Sequence, residues 1–259
     1  MAALARLRRL RFAYRVGLVM AAALAVVAVT LSVPPLPQPD SFHDFVDKRP
    51  LAGIPNFGNV ASNLGFLVAG LAGLMVLRSV PAHLNLTRLP YYALALALIG
   101  VCLGSGYYHW EPTTPRLYWD RLSMTAAFMS LSAAIVADRV DRRTGLALLP
   151  ALLLAGALAA THWRQSEFAG AGDLRIYFLV QFVPALCLPL IVLLFADRIG
   201  HERYLFWMLG LYALAMLLEQ GDRVVYRTLG GGISGHALKH LAAALGAYMA
   251  FHRLREAAR

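Results

Sequence analysis

Apolar residues run along this chain in long blocks rather than in short periodic stripes. Crossing a bilayer takes roughly 20 apolar residues in a helix. Eight blocks come close to that, at about 14–34, 57–78, 90–110, 117–137, 144–163, 174–196, 203–220 and 235–252. Helices apolar all round are buried on every side, which in this pattern means a membrane bundle. The block at 203–220 is the least clean, because Glu219 and Gln220 close it. Breakers separate the blocks: Pro34, Pro35, Pro37 and Pro39 after the first, Pro112 and Pro115 after the third, and Gly230 to Gly232 before the last.

Composition agrees with the blocks. Of 259 residues, 59% are hydrophobic and only 15% charged, too few to clothe a water-soluble globule of this size. Mean hydropathy is +0.59. The net charge of +10 suggests topology rather than nucleic acid, because no basic stripe is interleaved with aromatics. With the N-terminus inside, fifteen cations fall on the inner side and eight on the outer, and Lys239, within a helix, completes the 24. That asymmetry predicts an inner-membrane protein with both termini cytoplasmic. Cys102 and Cys187 each lie inside an apolar block and read as core residues. The basic N-terminus and first block are compatible with a signal peptide, although the run is long for one; a retained helix is the favoured reading.

Polar residues in a bilayer are expensive and mark function. On this topology, the end of the third block and the starts of the fourth and eighth all lie at the outer face. They carry Ser105 and His109, four apart on one helical face; Asp120; and His236 and His240, again four apart. Three imidazoles suit a catalytic zinc site, which uses three protein ligands and leaves a position for water. Asp120 is placed to handle a proton and Ser105 to hydrogen-bond the water or an oxyanion. By itself an HxxxH pair is a weak signal, and interfacial histidines often only face water. Of the others, His83, His201 and His252 read as solvated on the inner side, whereas His43 and His162 lie on the outer side, within possible reach of the site.

At these residues the sequence resembles the alkaline ceramidase family, within the wider group of seven-helix membrane hydrolases that includes adiponectin-receptor-like proteins. Gly104-Ser105-Gly106-Tyr107-Tyr108-His109 resembles its Gly-Ser-x-x-aromatic-His motif, and Trp119-Asp120-Arg121-Leu122-Ser123-Met124 its acidic motif, with Ser123 where proline is usual. Ser234-Gly235-His236-Ala237-Leu238-Lys239-His240 resembles the last-helix HxxxH motif, and Asn59-Val60-Ala61-Ser62-Asn63 the signature of the first core helix. The resemblance spans about 40–255. It implies an all-α membrane fold: a seven-helix core over 40–255, preceded at 1–36 by a basic segment and one additional transmembrane helix. It implies zinc on His109, His236 and His240, with Ser105 and Asp120 at the metal's water.

The family's calcium-binding stretch corresponds here to Asp44, Asp47 and Asn56, but Lys48 and Arg49 stand among them. Calcium wants several oxygen ligands; the alternative is that the two aspartates pair with nearby cations. Glu219 and Asp222 either support a ligating histidine or pair with Arg223 or Arg227. The implied activity is hydrolysis of the amide of ceramide or a related N-acyl lipid, with Tyr107, Tyr108, Trp110, Tyr118 and Trp119 at the headgroup level. The competing expectations are a receptor or lipid-binding protein with a structural zinc, and an ion transporter; the latter is disfavoured because the ionisable residues gather at one face.

Overall fold

A computed structural model describes residues 7–8, 10–81 and 87–259. Among them the chain is helical, with a lone bridge between Leu51 and Ile54 as its sole β feature. The helices are α1 (Phe12–Ser32), α2 (Phe57–Ser62), α3 (Leu64–Ser79), α4 (Arg88–Trp110), α5 (Thr114–Arg139), α6 (Arg142–Phe168), α7 (Arg175–Leu194), α8 (Arg203–Gln220), α9 (Asp222–Thr228) and α10 (Gly235–Ala257). All eight apolar blocks are therefore helical. His83 and the cations Arg6 and Arg9, used in the sequence reading, lie outside the described residues.

The block at 57–78 is interrupted. Asn63 turns its side-chain amide back to the Asn59 carbonyl at 2.8 Å, and its backbone N–H bonds to Val60, three residues back. An asparagine that satisfies local backbone in this way competes with the helical ladder, so α2 ends and α3 begins there.

Five helices are long and apolar enough to cross a membrane: α1, α2 with α3, α4, α6 and α7. A sixth qualifies if α8 and α9, bent by 82° at Gly221, count as one span. These lengths and compositions make the chain a membrane protein. α1 buries none of its residues within the chain although it is almost wholly apolar, which suits lipid and not water. α5 and α10 reach spanning length but not that apolarity. The reason is their inner face: α5 buries Asp120, Arg121, Asp138 and Arg139, and α10 buries His236, His240 and Arg253. Polar groups that would be prohibitive towards lipid are turned into the bundle.

α5 and α10 thus form the polar seam of the bundle. α4 packs along α5, α8 along α10, and α3 bridges α4 and α10. The main core gathers Leu77, Tyr91, Leu98, Ile135, Val192, Leu205 and Phe251. One end of the seam is closed by charge. Arg253 reaches Asp138 at 2.9 Å and also binds Asp197; Arg139 reaches Glu202 at 3.2 Å; and Arg8 joins Glu202 at 2.8 Å. His252, expected to be solvated, is instead half-buried there, its ring against Tyr204 and Tyr248. It sits on the same helical face as Tyr248, four residues before it, so packing claims it before water does. His201 is exposed as expected. Cys187 is buried and Cys102 half-buried, both as free thiols.

Candidate metal centre

The other end of the seam holds the histidines. Two glycines let the helices approach there. A Cβ on Gly104 would lie 2.5 Å from the Trp119 carbonyl oxygen, and one on Gly235 would lie 2.4 Å from the Leu218 oxygen. The first contact sets α4 against the start of α5; the second sets the start of α10 against the end of α8. α10 is capped by the Ser234 hydroxyl, which accepts from the Ala237 N–H at 3.0 Å, and by Asp222, which accepts from the His236 N–H at 2.8 Å. These bonds satisfy donors that a helix N-terminus leaves open and fix the first turn, where His236 sits.

His109, His236 and His240 come together, each 5% exposed or less. One nitrogen from each lies within 4.8 Å of the others, and they are the only such group of metal-ligating side chains among the described residues. The Nε2 atoms of His109 and His236 are 3.2 Å apart. Tetrahedral zinc with bonds of about 2.0–2.1 Å sets its ligand nitrogens roughly 3.3 Å apart, a separation this one pair matches.

The other ring nitrogens differ in their surroundings. Glu219 Oε2 lies 2.8 Å from His236 Nδ1, a close carboxylate contact without hydrogen-bond alignment. Ser62 Oγ lies 2.8 Å from His240 Nδ1. His109 Nδ1 is buried with no partner, while the Asn56 amide donates to the His109 carbonyl at 2.9 Å. Three imidazoles facing each other, with no carboxylate between the facing nitrogens, are a donor set that a cation would complete. Phe45 closes the cluster, its ring 4.7 Å from His109 and 4.5 Å from His236.

Ser105 and Asp120 are also brought together: both are buried, with the serine hydroxyl beside the carboxylate. The five residues singled out from the sequence therefore occupy one end of the bundle. Glu219 takes the supporting role at a histidine rather than pairing with Arg223 or Arg227. Asp222 supports the backbone of the same histidine.

The Asp44, Asp47 and Asn56 trio does not gather into an oxygen cage. Asp44 pairs with Lys48 at 2.5 Å and with Arg223 at 3.1 Å, Asp47 pairs with Arg49 at 2.8 Å, and Asn56 is spent on His109. The Arg49 guanidinium holds Asp47 below the ordinary carboxylate range. His43 lies beside the site without entering it, its nitrogens at 2.9 Å from the Tyr108 hydroxyl and 3.0 Å from Thr114 Oγ1. His162 is exposed and takes no part. Tyr107, Trp110 and Trp119 are about half exposed, as a belt requires, but Tyr108 is 1% exposed and packs against His109. Helical rotation explains the difference: Tyr108 sits next to the buried His109, whereas Tyr107 is turned outward.

Three contributors escaped the sequence reading: Ser62, Phe45 and Lys239. Lys239 Nζ lies 3.0 Å from Glu219 and 3.3 Å from both ring nitrogens of His236. Its position between the two histidines of the HxxxH pair was the available signal. No protein-family model, curated protein or solved structure matches the chain.

Proposed function

We propose that this chain is an integral-membrane zinc hydrolase of alkaline-ceramidase type, cleaving the amide of ceramide or a related N-acyl lipid. On this reading it has a seven-helix core with one added N-terminal helix. It lies in an inner membrane with both termini cytoplasmic and the site near the outer face. The observation that carries the reading is the buried His109–His236–His240 cluster with Ser105 and Asp120 side by side at the same end of the bundle. A structural zinc is more often closed by a fourth protein ligand; here a proton-handling pair stands beside three.

His109, His236 and His240 would hold the ion. When bound, zinc lowers the pKa of water to about 7 and polarises a carbonyl, which supplies a nucleophile at neutral pH. The chain's own groups do the rest. Asp120 accepts the proton that the attacking water gives up and returns it to the amide nitrogen as the C–N bond breaks, so the products are a fatty acid and a free amine. Ser105 holds the Asp120 carboxylate in place. Glu219 and Ser62 fix the rings of His236 and His240, so little reorganisation is needed on binding. Phe45 and Tyr108 exclude bulk water from the cluster. The surrounding apolar bundle suits an acyl chain.

The test is release of labelled fatty acid from a panel of ceramides and other N-acyl lipids by purified, zinc-loaded protein. The proposal expects release by the wild type and none by Asp120→Ala at equal zinc content. A wild type that binds zinc yet cleaves no N-acyl lipid would favour a receptor or lipid carrier.

A further inference from the structure

Three arginines are buried among the described residues, and two of them are paired. Arg139 faces Glu202 and Asp197, and Arg253 faces Asp138 and Asp197. Arg121 is the exception. It is 4% exposed yet forms no ion pair among the described residues. One terminal nitrogen, Nη2, donates to the Gln38 side-chain oxygen; the other, Nη1, is buried with no partner. The guanidinium carbon stands 3.9 Å from the Trp163 ring centroid, 4.6 Å from Tyr177 and 5.5 Å from Phe42. These aromatic faces offset part of the cost of burying the charge. The Tyr177 hydroxyl also meets the guanidinium, yet Nη1 keeps no acceptor, and among the described residues no carboxylate lies within ion-pair distance of this buried cation.

Arg121 follows Asp120 directly on α5. It lies in the field of the Asp120 and Glu167 carboxylates, and its own charge reaches Tyr108 and His43. Tyr108 in turn packs on His109. The guanidinium, with its Nη1 unpartnered, therefore sits one residue layer from the reactive pair. Gln38 and Phe42, from the segment that precedes α2, cover it, and Phe45 from that same segment covers the histidines.

We propose that Arg121 is a substrate-recognition residue, its free Nη1 receiving a carboxylate next to the scissile amide, so that the lipid cleaved is an N-acylated amino acid. This rests on the hydrolase reading and narrows it. Guanidinium and carboxylate match in charge and in planar hydrogen-bonding geometry. The neutral hydroxyls of a ceramide headgroup could accept from Nη1 but bring no countercharge to it.

The probes are ketomethylene analogues of N-palmitoylglycine and N-palmitoylethanolamine, in which CH2 replaces the amide nitrogen so that neither can be hydrolysed. They differ only in carboxylate against hydroxymethyl. Binding to full-length, zinc-loaded protein in detergent is expected to be about tenfold or more tighter for the carboxylate. Arg121→Gln, at unchanged zinc content, is expected to erase that preference while leaving the neutral analogue within about threefold of its wild-type affinity. Equal affinities in the wild type would overturn the proposal whether or not the variant folds, and so would a preference that survives Arg121→Gln. Palmitate release from the matching amides separates the two readings. Cleavage with no carboxylate preference sinks the subsite alone. A carboxylate preference with no cleavage of either amide sinks the hydrolase reading alone.

Discussion

Replacing Glu219 by glutamine keeps the shape of the side chain and removes its charge. In the structure that carboxylate lies 2.8 Å from His236 Nδ1 and 3.0 Å from Lys239 Nζ, with a side chain 27% exposed. At an effective dielectric of about 20, two unit charges at that separation from lysine attract by about 5 kcal/mol before desolvation, and desolvation of both partners offsets much of it. What survives at the metal is set by two effects. His236 loses the carboxylate beside its Nδ1, and the Lys239 ammonium, 3.3 Å from both His236 nitrogens, is left facing the cation site uncompensated. Loss of such outer partners costs about 10- to 100-fold in metal affinity, or about 1.4–2.7 kcal/mol. Zinc affinity measured by chelator competition in detergent near neutral pH should fall by that factor in Glu219→Gln. Adding Lys239→Met to that variant should recover a substantial part of the loss, a coupling that a double-mutant cycle isolates. A Glu219→Gln protein with wild-type zinc affinity would refute the assignment of Glu219 as the orienter of His236. A double variant as weak as the single one would refute the role given to the lysine charge.

Other consequences are as direct. Gly104→Ala forces a Cβ to within 2.5 Å of the Trp119 carbonyl; overpacking of this kind costs about 1–3 kcal/mol and should lower the Tm and reduce turnover together, because the same contact sets Ser105 beside Asp120. Arg253→Met strands Asp138 without its guanidinium and leaves Asp197 only Arg139, at 3.7 Å; it should destabilise by about 3–5 kcal/mol, read by thermal unfolding in detergent, with zinc affinity of the surviving folded protein unchanged. Asp47 is held below its ordinary pKa by Arg49, so its contribution is present above the unfolded value of about 3.9 and is lost as pH falls through the depressed folded value. The Tm difference between wild type and Asp47→Asn should therefore persist at neutral pH and close only in acid below about pH 4; a difference that closes between pH 5 and 7 would contradict the pairing.

The helices were legible because apolar runs of spanning length have few other uses, and all eight appear. The site residues were legible for a related reason: His109, Asp120, His236 and His240 are costly in a bilayer, and a topology drawn from arginines alone put them in one layer. What could not be read was how side chains close on each other. The break at Asn63 depends on an amide folding back on Asn59, which a helical pattern of apolar residues does not reveal. Ser62 and Phe45 reach their histidines from stretches distant in sequence. The cover built from Gln38, Phe42, His43 and Phe45 has no periodicity at all. Tyr108 and Tyr107 look alike in sequence, and a rotation of about 100° along the helix puts one in the core and the other at the surface.

The zinc content of the folded, detergent-purified chain, measured by elemental analysis across single histidine variants, bears most directly on the whole account. It should be one ion per chain in the wild type and in Asp120→Ala, and close to none in His109→Ala, His236→Ala and His240→Ala. A wild type devoid of metal after zinc loading, or a His240→Ala protein that retains a full equivalent, would contradict it.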